Sequence, residues 1–245
     1  MGLVERALTS LPYTIIDRLL FGEHPAVRPL QVLVQHLIRG PRSAEFLLDG
    51  HAFHCWTSEK YFFERENFEQ DLWNVLRDRL TRHDVVYDFG AHIGYWVVRL
   101  SRICRHVVAF EPSPINFNRL SRNAAQIANA TVVNAAIAAK EGEMAFTEAG
   151  SMSTIGKGAL RVKSVTLDTY ARNAISPTFL LIDVEGFAGE ALLGAASLLI
   201  RRIPLICEIH NVREERSVFD TLCVHGYNIA YVDRTHPYPF RIHAS

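Results

Sequence analysis

The chain has 245 residues, 49% of them hydrophobic, enough to bury the core of one large α/β domain with or without an appendage. Lysine plus arginine equals aspartate plus glutamate at 26 each, and the resulting zero formal charge argues against nucleic acid, whose binding rests on a basic footprint. The four cysteines, Cys55, Cys104, Cys207 and Cys223, form no CxxC pair, and the 11 histidines show no HExxH spacing. Neither a zinc site nor a disulfide framework is indicated, and a reducing, cytoplasmic setting is expected.

The N-terminal stretch "MGLVERALTSLPYTIIDRLLF" has an early acid and no unbroken apolar core, unlike a secretory leader. Arg6 stands where a myristoylation signal needs serine or threonine, and no segment is long and apolar enough to span a bilayer. The start reads as an amphipathic helix packed on the main domain, with a membrane-surface or dimer role as the alternative. Helices are expected around 3–20 and 29–39, followed by short strands in "AEFLLDG" and "HAFHCWT" with Gly50 at the turn between them. "YFFERENF" reads as aromatic packing, and His51 and His54 share no strand face. Phe68, Leu72, Val75, Leu76 and Leu80 then fall on one face of a helix. Residues 1–80 are thus expected to form an N-terminal helical and short β extension, and residues 81–245 the main domain.

From residue 84 the rhythm becomes strand, helix, strand, helix. "DVVYDF" is a buried strand and "YWVVRLSRIC" a helix. "HVVAFEP" is a strand stopped by Pro112. "SPINFNRLSRNAAQIA" is a helix with Ser113 as N-cap and Pro114 in its first turn. "ATVVNAAIA" is a third strand. "GEMAFTEA" and "LRVKSVTLD" form a less regular β insertion around the loop "GSMSTIGKG". "PTFLLIDVEG" is a strand, "FAGEALLGAASLLIRR" a helix and "IPLICEIHN" a strand, and "YNIAYVD" with "YPFRIHAS" closes the chain as an antiparallel pair. Near-continuous apolar strands alternating with helices imply a parallel sheet covered on both faces. Ligands bind such sheets at the carboxyl ends of the strands. Each apolar run ends on a polar group: Asp88, Glu111, Asn134, Asp183 with Glu185, and Glu208 with His210.

The turn after the first strand decides which ligand is meant. A dinucleotide loop needs G-x-G-x-x-G. Here the run is Gly90-Ala91-His92-Ile93-Gly94, with His92 in the middle glycine's place and Tyr95 in the last. Asp88 would repel a pyrophosphate but suits a ligand with an ammonium group, such as S-adenosylmethionine. Glu111 lies 23 residues beyond Asp88 (111 minus 88), about where an acid takes the ribose hydroxyls.

The motifs "VVYDFGAHIGYW", "FEPSPINFNRLSRN", "VTLDTY", "LLIDVEGFAGEALLGA" and "CEIH", in this order, resemble the FkbM family of S-adenosylmethionine-dependent methyltransferases over about residues 66–210. The resemblance implies a class I methyltransferase Rossmann-like fold: a seven-stranded, mostly parallel sheet ending in an antiparallel hairpin. It implies methyl transfer, usually to a hydroxyl of a sugar, polyketide or related metabolite, hence a small-molecule or glycan acceptor. By motif position, Asp88, Gly90 and Gly94, with Ala91 and His92 between, would hold the methionine portion. Glu111, followed by Pro112, would take the ribose, Ala135 and Ala136 would lie near adenine, and Asp183 would face the gap between cofactor and acceptor. Phe89 replaces a smaller aliphatic, and Ala188-Gly189 stands where an acid is expected after "EGF".

An acceptor hydroxyl must lose its proton. His210 is the expected base, because an unperturbed imidazole with a pKa of about 6.5 is largely neutral at pH 7. Glu208 or Asp183 would orient it or act as base instead. A second version gives Asp183, Glu185, Glu208 and His210 to a divalent metal that acidifies the hydroxyl. The sequence also leaves room for an NAD(P)-dependent oxidoreductase, a non-catalytic binding protein retaining the fold, and a homo-oligomer.

Overall fold

The computed structural model describes residues 43–56, 59–60, 63–64, 68–148, 153–156, 158–233 and 237–245. The helices expected around 3–20 and 29–39 lie outside the described residues. The chain forms two compact units, Met1–Leu47 with Ala52–Phe68, and Leu48–His51 with Glu69–Ser245.

Strands β1 (Ser43–Leu48) and β2 (His51–Trp56) pair as a two-stranded sheet. Asp49 and Gly50 both have positive φ, 49° and 87°, as a tight Asp-Gly hairpin turn demands. In the smaller unit Phe53 meets Phe46 and Phe63 edge-on, with centroids 5.4 and 5.5 Å apart, and Phe63 meets Phe68 at 5.3 Å. Phe63 and Phe68 of the aromatic segment are therefore packing residues.

Helix α1 (Gln70–Arg79) belongs to the larger unit, so the division falls after Phe68 and not near residue 80. Its buried face holds Leu72, Trp73 and Leu76. Trp73 lies 6.3 Å from Trp96, and Arg79 Nη1 lies 3.1 Å from His243 Nε2.

The larger unit is built on β3 (Val85–Phe89), β4 (His106–Phe110), β5 (Ala130–Val133), β10 (Phe179–Ile182), β11 (Leu205–Ile209), β12 (Ile229–Asp233) and β13 (Phe240–Ala244). Their order across the sheet is β12-β13-β11-β10-β3-β4-β5. Only β13 runs antiparallel to its neighbours. Every residue of β3 and of β10 is buried, which is why these strands are apolar runs and not alternating ones. The register pairs Phe89 with Ile182 and Phe110, Ile182 with Cys207, and Phe110 with Val133. Asp88, Glu111, Asn134, Asp183 and Glu208 therefore lie along one edge, the carboxyl end of five adjacent strands. Helices α2 (Tyr95–Leu100), α3 (Pro114–Ala124), α4 (Leu167–Arg172), α5 (Ala188–Leu193), α6 (Ala196–Ile200) and α7 (Val212–Val224) fill the crossovers.

Two expected elements are divided. The third strand ends at Val133 and resumes as β6 (Ala136–Ile137), which joins β7 (Gly142–Thr147), β8 (Thr154–Ile155) and β9 (Leu160–Val165) in a second sheet of order β6-β9-β7-β8. Asn134 sits at the break, its side chain donating to the carbonyls of Glu111 at 2.8 Å and Pro112 at 3.2 Å. The helix after "IDVEG" breaks into α5 and α6 at Gly194. A Cβ there would lie 2.1 Å from the Ala138 carbonyl oxygen, and Asp168 accepts from the Ser197 N–H at 2.9 Å to start α6. Among the described residues, no helix is long and apolar enough to cross a membrane.

Candidate functional site

Asp88, next to last in β3, is 2% exposed, and its Oδ2 has no hydrogen-bond partner. Burial, reinforced by the charges of Asp183, Glu111 and Glu69, raises its pKa to about 8. A buried acceptor without a donor is costly and marks a place where a ligand donor fits.

The turn that follows is built on backbone bonds. The N–H groups of Gly90 and Ala91 both donate to the Phe110 carbonyl at 3.0 Å, and Gly94 N–H donates to Ala91 at 2.8 Å. Gly90 (φ 82°) leans so closely on the end of β10 that a Cβ would lie 1.9 Å from the Asp183 carbonyl oxygen. Gly94 (φ 94°) starts α2, and a Cβ there would lie 2.9 Å from Leu120 Cδ1 of α3. Both glycines are thus demanded by the protein's own packing, whatever they offer a ligand. His92 has a positive φ of 50° and turns its N–H towards the next strand end.

There Glu111 receives it. Its Oε2 accepts from His92 N–H at 2.9 Å and its Oε1 from Ser113 N–H at 2.8 Å. Burial raises its pKa to about 8 against these bonds. The Asn116 side chain also hydrogen-bonds the carboxyl, and of the roughly four acceptor positions of an ionised carboxylate about one stays available to a ligand hydroxyl. Ser113 caps α3 by accepting from Asn116 N–H at 3.0 Å, and its hydroxyl donates to Glu148 at the end of the insertion's β7. Pro112 is half-buried, whereas Ala135 and Ala136 are buried and expose no side chain.

The ends of β10 and β11 carry a second cluster. His210 Nε2 lies 3.4 Å from Asp183, 3.7 Å from Glu185 and 3.9 Å from Glu208. Its Nδ1 lies 3.3 Å from Glu214, which also accepts from the His210 main-chain N–H at 2.7 Å. Arg241 of β13 reaches Glu208 at 2.7 Å, Asp233 at 3.5 Å and Glu69, which also accepts from Trp96 Nε1 at 2.9 Å. Two cations thus face six carboxylates. The side chain of Asp183 is 42% exposed and that of Glu208 12%.

These surroundings bear directly on the expectation of a neutral His210 base. Burial alone would lower the His210 pKa, but the hydrogen bonds to Asp183 and Glu214 and the charges of Asp183 and Glu185 outweigh it and raise the value to about 11. His210 is an imidazolium at neutral pH, not the neutral base its type suggests. Burial and the charge of Asp183 push Glu208 the other way, to about 8, with Arg241 and His210 opposing. Ligand atoms of Asp183, Glu208 and His210 all lie within 4.8 Å of one another, a mixed oxygen and nitrogen set that suits a divalent cation.

His210, Asp183, Glu185 and Glu208 meet in one place, as the strand-end reading expects. Glu214, Arg241 and Glu69 escaped it. Asn211-x-x-Glu214 has the spacing of a capping box and could have exposed Glu214. Glu69 and Arg241 are 172 positions apart and carry no local signal.

A profile of the methyltransferase FkbM domain matches residues 88–229. The chain belongs to the FkbM methyltransferase family. S-adenosylmethionine, which the motifs imply, is the methyl donor of this FkbM methyltransferase. It is 27% identical over 184 residues to the hexuronic acid methyltransferase AglP of Haloferax volcanii, covering 71% of this chain and 76% of that protein. Among solved structures it resembles the methyltransferase FkbM of Methylobacillus flagellatus KT, with a TM-score of 0.54 and 18% identity. That match covers 68% of this chain and 44% of the other, so the present chain spans less than half of that relative. M. jannaschii TYW2, solved in complex with AdoMet, matches with a TM-score of 0.50 and 13% identity over 82% of this chain and 84% of that one. These structural likenesses speak for the class I methyltransferase fold, whose strand order the larger sheet follows.

Proposed function

We propose that this FkbM methyltransferase O-methylates a hydroxyl of a sugar or related small metabolite, free or within a glycan. The observation that carries the reading is the buried Asp88 carboxyl at the first strand end, whose Oδ2 has no hydrogen-bond partner, a seat for an ammonium group. The donor supplies a methyl group already activated on a sulfonium. Asp88 accepts from the ammonium, Glu111 accepts from a ribose hydroxyl, and the turn Gly90–Gly94 with Pro112, Ala135 and Ala136 supplies backbone and shape. At the other end of the cleft the acceptor hydroxyl gives its proton to Asp183, a half-exposed carboxylate of the cluster, and Glu208 shares the charge. His210 holds both acids in place as a fixed cation. The chain's main contribution is alignment, which supplies up to about 7–11 kcal/mol in well-oriented reactions.

A second reading follows from the convergence of Asp183, Glu208 and His210, with Glu185 beside them. A divalent cation there would displace the imidazole proton and bind the acceptor oxygen. The relative's hexuronic acid makes a carboxylate-bearing sugar the first acceptor to try. The four cysteines are free, which supports a reducing compartment, and the balanced charge gives no reason to invoke nucleic acid.

The test is label transfer from S-adenosylmethionine to hexuronic acid glycosides, neutral hexosides and extracts of the source, with and without chelator. Methyl ethers should appear on hydroxyl oxygens, and Asp183→Asn should abolish them while S-adenosylhomocysteine still binds. Binding of NAD in place of S-adenosylhomocysteine, or label appearing only on nitrogen or carbon, would refute the assignment. Loss of turnover with chelator and its return with Mg²⁺ would favour the metal-bearing form.

A further inference from the structure

Glu214 is 3% exposed, yet it lies outside every strand end. It is the third residue of α7, and its carboxylate turns back out of the helix. Its Oε1 accepts from Ala188 N–H, the first residue of α5, at 2.8 Å. Its Oε2 accepts from the main-chain N–H of His210 at 2.7 Å and lies 3.3 Å from that residue's Nδ1. One side chain thus joins the start of α5, the residue after β11 and the imidazole ring.

The local sequence explains why it can do so. Asn211 caps α7, its Oδ1 accepting from the N–H groups of Arg213 and Glu214, both at 3.1 Å, which leaves the Glu214 side chain to reach backwards. Gly189 lets α5 and α7 approach, since a Cβ there would lie 2.2 Å from Ser217 Oγ. The "EGFAG" segment and "IHNVREE" are therefore bolted together directly behind the cluster.

We propose that Glu214 is the positioning residue of the methyl-acceptor site. It holds the His210 ring by main chain and Nδ1 together, so that Nε2 can point only towards Asp183, Glu185 and Glu208. The inference rests on the proposed role of that cluster, but its geometric part stands without it. An imidazole fixed at one nitrogen presents the other in a single direction, and outer-shell carboxylates on histidines are used in this way. Glu214 touches no substrate and takes no proton in this account.

The experiment compares wild type, Glu214→Gln and Glu214→Asp as full-length chains labelled with ¹⁵N. Long-range proton–nitrogen spectra of the imidazoles are recorded with and without S-adenosylhomocysteine, and the His210 signal is assigned by its absence in His210→Ala. In Glu214→Gln the His210 Nδ1 resonance should shift and broaden, while affinity for S-adenosylhomocysteine stays within about threefold, because the Asp88 half of the cleft is untouched. With the acceptor found by label transfer, kcat should fall about 10- to 100-fold with KM little changed, the usual effect of losing such a partner. Glu214→Asp, which keeps the charge, should recover part of that loss.

An unmoved His210 signal in Glu214→Gln, or wild-type kcat with only a lowered melting temperature, would reduce Glu214 to a structural strut and overturn the proposal. If the substitution unfolds the chain, Asn211→Ala gives a second route. It removes the cap that directs Glu214 and should disturb the same resonance; an unchanged resonance there counts against the clamp. A wild type that fails to bind S-adenosylhomocysteine would instead sink the function, and the imidazole spectra of the unliganded protein would still decide the clamp.

Discussion

At the scale of single residues, a donor ammonium seated beside Asp88, as proposed, would couple protons to ligand binding. Its pKa of about 8 in the unliganded protein means that it is mostly protonated at pH 7. A cation beside it favours the ionised form. Binding of the positively charged donor at pH 7 should therefore release about one proton, and affinity should rise between about pH 6 and pH 8. Calorimetry in buffers of different ionisation enthalpy measures this directly, and Asp88→Asn should lose the release. The same variant should melt higher than wild type at pH 8 without ligand, since it no longer buries a charge. An unchanged proton count in Asp88→Asn would remove Asp88 from the ammonium's side. The strand-end acids were legible because each closes an apolar run, so their position needed only the period of the strands. The protonation of His210 was not, because it depends on four carboxylates from three separate stretches of chain, and side-chain type says nothing of that company.

At the scale of elements, the first turn and the end of β10 act as one piece, since Gly90 lies against the Asp183 main chain. Gly90→Ala forces both a side chain at φ 82° and a Cβ into the Asp183 carbonyl. It should cost at least about 1–3 kcal/mol of stability and displace Asp183, lowering kcat in whatever fraction remains folded. Denaturant titration and single-turnover rates give the two numbers. Gly189→Ala should also destabilise, and Ser217→Gly in the same chain should restore part of the loss, because the clash is between those two helices; simple additivity of the two changes would contradict the close approach. Most elements were readable from hydrophobic period and caps, Ser113 with Pro114 being the clearest start. The two divided elements were not. The break at Asn134 arises because that side chain is needed by the neighbouring strand end, and the break at Gly194 because the Ala138 carbonyl leaves no room for a Cβ. Both causes are contacts between distant segments, which no local pattern carries.

For the whole molecule, Arg241 is the tie across the C-terminal hairpin, joining α1, β11 and β12 through Glu69, Glu208 and Asp233. Arg241→Gln strips a cation from buried acids and should cost about 3–5 kcal/mol near neutral pH. The loss should shrink as pH falls, because Glu69 and Glu208, whose pKa values burial raises, then take up protons. Thermal scans across pH would show it, and an equal loss at both ends would argue that Arg241 acts by packing alone. The unliganded wild type should itself weaken as pH rises. Asp88, Glu111 and Glu208 bind protons up to about pH 8 when folded but only to about 4 when unfolded. His210 does likewise between about 6.5 and about 11. In both windows the native state holds the extra proton, so stability falls with pH, and bound donor should flatten the first of the two declines. The bond from the Ser113 hydroxyl to Glu148 has a different sort of consequence. Glu148 directly follows β7 of the accessory sheet and belongs to none of the motifs, yet its charge, added to the effect of burial, helps to keep the Glu111 carboxyl protonated. If Glu111 takes the donor's ribose as proposed, the insertion is a tuning arm: evolution or an engineer could adjust that grip there and leave the ends of β10 and β11 untouched.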